Sequence, residues 1–370
     1  MIKEIDINKF RCFKKSKFSG FKAVNLIGGQ NNCGKTALLE SLYLNLSPRK
    51  STIMVLRRFR RESSEFAKNM PERTWNNFFF NLDNDKTLSI ISRGSDGNIY
   101  NNIELLCDES TDQFDEIFEE EEQSDDDLVD LRTLFSERNF TRSTLNINLL
   151  KDDGKKHLLT SLIAHSKGII SKDSDLPDEK KKVNYIPALS RLSSDALSRE
   201  YDKADIKGNS QKILNAIQLI GKSITEIKTF NIGEPTIYLK KSEGEYLPIY
   251  LYGEAISKTT DFILRIVNDP DSVLLIDEIE NGIHHTNQYD LWRNIFELSS
   301  LFNVQIFATT HSYEMIQSFV QAGLSKDVFK ESACYLEMTK SIKSGEIVGI
   351  ERDLENLNYE INQKMGFRGE

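Results

Sequence analysis

A phosphate-binding loop is indicated near the start of the chain, where Gly29-Gln30-Asn31-Asn32-Cys33-Gly34-Lys35-Thr36 follows the spacing G-x-x-x-x-G-K-T. In this pattern main-chain N–H groups surround a phosphate, Lys35 reaches the β- and γ-phosphate oxygens, and the Thr36 hydroxyl binds Mg²⁺. The apolar run 24–27 predicts a buried strand before the loop, and the leucine spacing over 36–46 predicts a helix after it. These flanks disfavour the alternative of a glycine turn with an incidental lysine. The predicted binding residues for ATP and Mg²⁺ are Gly29, Asn31, Asn32, Cys33, Gly34, Lys35 and Thr36.

Two carboxylates, Asp277 and Glu278, end a second apolar run. The four apolar residues 273–276 predict a parallel strand that is buried on both faces. Asp277 would then leave the strand at its carboxyl end, where open α/β sheets bind ligands and where an aspartate can hold Mg²⁺. Glu278, one residue further, could accept a proton from an attacking water. Alone, the pair would also fit a strand end with solvated acids; the phosphate loop favours the catalytic interpretation.

A histidine follows a third apolar run. Residues 304–310 predict another buried strand, and His311 comes directly after it. A helical segment lies between this strand and Asp277, and a strand–helix–strand connection places its two strands side by side. His311 is therefore expected at the same sheet edge as Asp277. A lone histidine is more often structural, but here it could donate to a γ-phosphate oxygen and polarise the attacking water.

These motifs resemble those of ABC-class ATPases. Residues 276–284 and 308–312 are similar to the Walker B, D-loop and switch-histidine segments, most closely those of the SMC/RecF/OLD-like group found as AAA family ATPases in phage-defence operons. Residues 5–13 are similar to the opening strand of that group, which ends in an aromatic–basic pair, here Phe10-Arg11. Residues 247–254 occupy the place of the signature motif. The resemblance covers about residues 1–50 and 245–320.

The resemblance implies an α/β fold, an ABC-type P-loop ATPase head with a mixed sheet flanked by helices, plus an inserted mainly helical lobe. It implies a homo-oligomer in which two heads sandwich two ATP molecules. In such a site Lys35, Glu278 and His311 are catalytic, Thr36 and Asp277 bind the metal, and residues 281–284 touch the opposite head. Arg11 would contact nucleotide, and Gly253 would offer N–H groups to the partner's γ-phosphate.

The signature segment departs from the family pattern. Its serine and second glycine are missing, and Ala255 stands where relatives often carry glycine. We therefore expect slow hydrolysis, and a nucleotide-locked scaffold without turnover is the alternative. The incomplete signature also disfavours a transporter ATPase.

Charge is distributed unevenly along the 370 residues. The net charge is −9, but residues 108–130 hold thirteen Asp or Glu and no Lys or Arg. Such a stretch is too polar and self-repelling to form a core. We predict an acidic flexible insertion, with an autoinhibitory or partner-docking segment as the alternative. The basic residues over 49–61 fit a solvated face as well as a phosphate-binding patch.

The remaining composition predicts a cytoplasmic protein. Four scattered cysteines lack metal-ligand spacing and indicate thiols in a reducing compartment. The N-terminus does not look like a signal peptide, and no apolar run approaches the length of a membrane span. Four segments are predicted: 1–106, the N-terminal half of the ATPase core; 107–135, the acidic insertion; 136–240, a helical lobe; and 241–370, the C-terminal half with the signature-like, Walker B, D-loop and switch-histidine segments.

The end of the chain suggests how the ATPase would act. OLD-type relatives carry a nuclease domain after the ATPase core, and residues 312–370 are too few for a domain of that size. We therefore expect a separate effector protein, such as a nuclease, that the ATPase regulates in anti-phage defence. The alternative is a RecF-like DNA-binding ATPase of repair or recombination, for which nucleic acid would be the partner.

Overall fold

The computed structural model describes residues 1–108, 142–151, 154–174, 181–188 and 192–363. The strands are β1 (Ile2–Phe10), β2 (Phe13–Ser19), β3 (Val24–Gly29), β4 (Leu88–Gly94), β5 (Ile99–Asp108), β6 (Ser143–Leu150), β7 (Lys156–His165), β8 (Gly168–Asp173), β9 (Val183–Ile186), β10 (Ile224–Ile232), β11 (Glu234–Lys241), β12 (Tyr246–Pro248), β13 (Val273–Ile276), β14 (Gln305–Thr309), β15 (Ala333–Lys340) and β16 (Ile347–Arg352). The helices are α1 (Lys35–Leu46), α2 (Lys50–Phe59), α3 (Ser64–Asn69), α4 (Ser194–Ile206), α5 (Ser210–Ile220), α6 (Glu254–Asn268), α7 (His285–Phe302), α8 (Tyr313–Leu324), α9 (Asp327–Ser332) and α10 (Leu354–Asn362).

The described residues form two compact units. The first contains residues 1–4 and 17–39 and the described chain after residue 180, and the second contains residues 5–16 and the described chain from 40 to 179. A seven-stranded sheet has the order β2-β1-β4-β5-β6-β7-β8, and its strands from β4 to β8 are antiparallel neighbours. Helices α2 and α3 belong to the second unit.

A six-stranded mixed sheet in the first unit carries the predicted nucleotide motifs. Its order is β16-β15-β3-β14-β13-β9, and all neighbours are parallel except β15 and β16, which are antiparallel. Strand β13 is buried along its whole length, as expected for a strand covered on both faces. The predicted strands at 24–27, 273–276 and 304–310 are confirmed.

Strand register brings the motifs to one edge of this sheet. Ile27 of β3 lies opposite Thr309 of β14, and Ala308 lies opposite Ile276 of β13. Because the three strands are parallel and in register, their carboxyl ends meet at the same edge. The phosphate loop, Asp277 and His311 all follow these ends directly.

Aromatic packing fixes the helices that cover this sheet. Trp292 of α7 meets Phe319 of α8 edge-to-face, with 4.8 Å between ring centroids. Phe296, one turn further along α7, stacks on Phe329 of α9 at 5.1 Å. All four side chains are buried, and burying such rings is worth about 1.5–3 kcal/mol each. This core holds the helix between the Asp277 and His311 strands in place.

A three-stranded antiparallel sheet of β10, β11 and β12 precedes the signature-like segment. Strands β11 and β12 form a hairpin in which Leu239 pairs with Leu247, and Gly244 lies in the turn with a φ of +137°. After Pro248 the chain forms a short 3-10 helix, Ile249–Tyr252, and then α6. The hairpin and this short helix therefore place Gly253 directly before the first turn of α6.

The α/β fold class with a mixed sheet flanked by helices is confirmed, but the segment 136–240 differs from the predicted helical lobe. Its described residues form strands β6 to β11 with only helices α4 and α5. The isoleucine spacing over 213–227 suggests one or two helices, yet α5 ends at Ile220, before Gly221, and Ile224 and Ile227 lie on β10. The compact units divide the chain after residue 39, and the segment bound at residue 106 stays a prediction. The acidic insertion after residue 108 lies outside the described residues.

Within the described chain, no helix has the length and apolar character needed to cross a membrane. The four cysteines, all of which are described, form no disulfide bond.

Candidate active site

The phosphate loop is closed by its own lysine. Lys35, the first residue of α1, donates from Nζ to the main-chain oxygens of Gly29 (2.7 Å) and Gln30 (2.8 Å), and lies 3.7 Å from the Cys33 thiol. Burial lowers the pKa of the Lys35 ammonium, and Cys33 and the carboxylates of Glu280 and Asp277 partly oppose that effect. The ammonium therefore lies inside the loop, where it can exchange the two carbonyl oxygens for phosphate oxygens.

Glycine is required at the entry to this loop. Gly29 has a φ of +133°, and a Cβ at this position would lie 2.2 Å from the main-chain oxygen of Met338. Strand β15 pairs with β3 up to this residue, so the two backbones leave no space for a side chain. The glycine spacing of the motif therefore reflects strand packing as well as phosphate binding.

Asp277 lies at the centre of a set of oxygen atoms. The Thr36 hydroxyl is 3.1 Å from both carboxylate oxygens, and the Thr309 hydroxyl donates to Oδ1 at 2.6 Å. The main-chain N–H of Asp277 donates to Ile186 on β9 at 2.9 Å. The main chain of Asp277 is thus tied to β9, while its carboxylate is held by Thr309 at the end of β14 and faces the first turn of α1.

Glu278 has an unusual backbone conformation. Its φ is +50°, a region that non-glycine residues rarely occupy, and such residues cluster at functional sites. Its N–H donates to Thr309 Oγ1 (2.9 Å), and its Oε2 accepts from Asn281 Nδ2 (2.8 Å). Its other oxygen, Oε1, lies 3.7 Å from His311 Nε2. The side chain is about one-third exposed, so an incoming water can reach it.

His311 lies where the sequence placed it, beside the Asp277 strand. The N–H of the preceding residue, Thr310, donates to Ile27 on β3 (3.0 Å), and the His311 N–H donates to Glu280 Oε1 (2.7 Å). Ser312 caps α8 by accepting from Met315. These contacts hold the imidazole on the same side of the sheet as Glu278.

Two predicted nucleotide contacts lie outside this network. Gly253 has a φ of +94° and precedes α6, whose Lys258 donates to the main-chain oxygen of Asn281 at 2.7 Å. Arg11 belongs to the second unit, where its guanidinium pairs with Glu40 at 3.0 Å and lies over the Phe78 ring. These contacts hold the Arg11 side chain against Glu40 and Phe78. Its role in binding nucleotide stays a prediction.

Sequence reasoning missed two residues of the site, Thr309 and Glu280. Thr309 bonds to both Asp277 and Glu278, and Glu280 bonds to the main chain of His311. The signal for Thr309 was its position at the end of an apolar strand. The signal for Glu280 was an acid between two apolar residues, Ile279 and Ile283, both of which are buried.

Comparisons with known proteins agree with this geometry. Residues 24–316, which include the phosphate loop, both carboxylates and His311, match a family described as an AAA domain, putative AbiEii toxin, type IV toxin–antitoxin system. The chain belongs to this family. The match identifies an AAA domain, and its phosphate loop, carboxylates and histidine are those that lie on the six-stranded sheet.

Individual relatives and solved structures share a quarter or less of their residues with this chain. An ATP/GTP phosphatase of Helicobacter pylori is 25% identical over 364 residues, which covers 88% of this chain and 90% of that protein. An SMC head bound to the C-terminal winged-helix domain of ScpA is 13% identical, covering 96% of this chain and 98% of that one, with a TM-score of 0.48. The SMC head domain from Thermotoga maritima is 10% identical, covering 95% and 98%, with a TM-score of 0.42.

Proposed function

We propose that this AAA-domain protein hydrolyses ATP with Mg²⁺ between two paired heads and thereby controls a separate effector in anti-phage defence. The observation that carries the proposal is the convergence of Lys35, Thr36, Asp277, Glu278 and His311 at one sheet edge. The name of the Helicobacter pylori relative, an ATP/GTP phosphatase, supports the hydrolytic part. Phosphate release from ATP by the purified chain, present with Mg²⁺ and lost with a chelator, tests it.

The residues present fit a magnesium ion. Thr36 and Asp277 offer a hydroxyl and a carboxylate, the hard oxygen donors that Mg²⁺ prefers. The Thr36 hydroxyl is 3.1 Å from each Asp277 oxygen, so these donors lie close enough together that both could hold one ion. When bound, the ion would neutralise charge on the β- and γ-phosphates.

The other residues have separate tasks in hydrolysis. Lys35 binds the terminal phosphates, and Glu278 takes a proton from the attacking water. His311, 3.7 Å from Glu278, donates to the γ-phosphate and orients the same water. Asn281 holds one oxygen of Glu278, which leaves the oxygen nearer His311 to act as the base. This division follows the general pattern in which positioned acids, bases and cations stabilise the transferring phosphoryl group.

We expect Thr309→Val to lower turnover by about tenfold or more and to raise the Mg²⁺ concentration needed for half-maximal rate. Valine keeps the shape of threonine but removes the hydroxyl that donates to Asp277 and accepts from the Glu278 N–H. Phosphate release measured across a Mg²⁺ titration checks this. Thr339→Val, on β15, is the matched control, and an unchanged Mg²⁺ dependence in Thr309→Val would contradict the assignment.

Pairing of heads is supported by apolar side chains next to Gly253. Tyr250 and Leu251 are 61% and 62% exposed, and Gly253 itself is exposed on the N-terminal side of α6. Exposed apolar groups beside an exposed helix N-terminus suit a surface that meets another head and its γ-phosphate.

Replacing both Tyr250 and Leu251 by serine is expected to weaken ATP-dependent dimerisation by at least about tenfold, because each buried side chain contributes about 1.5–3 kcal/mol. Light scattering of the full chain with ATP and Mg²⁺ measures the effect, while nucleotide affinity of the monomer stays unchanged. Leu301→Ser, at a comparably exposed leucine of α7, is the control. Equal dimerisation of the double variant would exclude this surface from pairing.

The effector part of the proposal draws on the family description, which names a putative toxin of a toxin–antitoxin system. We expect the chain to bind the product of a neighbouring gene in a nucleotide-dependent manner. Binding would change the activity of that partner, for example a nuclease activity. Co-expression of the two proteins with and without Glu278→Gln tests this through growth and complex formation. Growth inhibition by the chain alone would instead place the toxic activity in this protein itself.

A further inference from the structure

Glu280 is a third carboxylate at the site, after Asp277 and Glu278. Its Oε1 accepts a hydrogen bond from the His311 N–H at 2.7 Å. Its Oε2 is buried and has no hydrogen-bond partner among the described residues. One oxygen is therefore occupied by the protein, and the other is held out of solvent without a donor.

The main chain around Glu280 is held firmly. The Ile279 N–H donates to the main-chain oxygen of Thr309, and the Ile283 N–H donates to the main-chain oxygen of Glu280, each at 3.0 Å. Ile279 and Ile283 are both buried and anchor the turn on either side. The position of the carboxylate is thus set by the fold and not by chance rotation of a surface side chain.

A carboxylate is a costly choice for this position if its only task is to accept the His311 N–H. A neutral amide oxygen would also accept that bond, whereas a buried carboxylate oxygen without a hydrogen-bond donor loses its hydration. Buried polar atoms that lack a partner in a native structure are often completed by water or an ion, or have a catalytic role. The negative charge is also close enough to Lys35 to raise the pKa of that ammonium against the effect of burial.

We propose that Glu280 is a positioning residue of ATP hydrolysis, an inference that rests on the proposed function. One oxygen holds the turn that aims His311 at Glu278, and the other accepts a hydrogen bond from a water molecule of the hydrolytic site. Glu280 thereby links the arrangement of this water to that of His311 and Glu278.

Glu280→Gln separates the two tasks in the full-length chain. Glutamine retains an oxygen for the His311 N–H but places an NH₂ donor where the second carboxylate oxygen lies. We expect kcat to fall by at least about tenfold, with KM for ATP and the melting temperature close to those of the wild type. Glu280→Ala also loses the bond to His311, so its kcat falls further. Glu331→Gln, at an exposed glutamate, is the control.

The outcomes are distinguishable. Wild-type kcat in Glu280→Gln, with a loss only in Glu280→Ala, would show that the hydrogen bond to His311 is the whole role and would overturn the water-accepting task. A rise in KM that matches the fall in kcat would mean that the substitution distorts nucleotide binding, which also overturns it. If the wild-type chain releases no phosphate, the proposed function itself fails, and this inference fails with it.

Discussion

Lys35→Ala is expected to weaken ATP binding by about a hundredfold or more. Charge-assisted hydrogen bonds contribute about 1.5–3 kcal/mol each, and Lys35 is positioned to make at least two to the terminal phosphates. Its Nζ already satisfies two main-chain oxygens of the loop, so the cradle is preformed around it. Calorimetric titration with ATP and Mg²⁺ measures the change.

Two further variants sharpen this experiment. Lys222→Ala removes an exposed lysine of the same unit and is expected to bind ATP normally, which controls for net charge. Lys35→Arg keeps the charge, but the longer planar guanidinium does not fit the space between the Gly29 and Gln30 oxygens, so we expect it to bind poorly as well. Wild-type affinity in Lys35→Ala would remove the phosphate loop from the nucleotide site.

Glu278→Gln is expected to leave ATP affinity unchanged while reducing hydrolysis by about a hundredfold or more, the usual contribution of a positioned general base. Glutamine can still accept from Asn281 but cannot take a proton from water. Because ATP then persists between the heads, the paired state should accumulate. Phosphate release and light scattering on the same sample measure both effects.

The control for this variant is Glu331→Gln, which removes an exposed negative charge from the same unit. Normal hydrolysis by Glu278→Gln would show that Glu278 is not the base. Hydrolysis lost without accumulation of paired heads would retain the base and contradict the two-headed arrangement. The two measurements therefore test catalysis and assembly separately.

Local patterns in the chain were sufficient for the strands and the loop of the nucleotide site. Residues 24–36 predict strand, loop and helix because the glycine spacing and the apolar runs act over a few neighbouring residues. The same holds for β13 with Asp277 and for β14 with His311. The prediction of a helical lobe was wrong because Ile224 and Ile227 are three residues apart, a spacing that favours one face of a helix. Both are nevertheless buried on β10, whose pairing with β11 shifts register between Ile224 and Glu226.

The sequence by itself determined which groups could bind phosphate, hold a metal and act as a base, because these depend on residue type and short spacing. Only the tertiary structure decided which groups meet. Thr309 reaches Asp277, and Glu280 reaches His311, because β3, β13 and β14 align in register and bring segments distant in the chain to one sheet edge. Arg11 and Glu40 are likewise distant in the chain, and they pair because the fold brings them together. Such contacts arise from packing between strands and helices, which no local pattern encodes.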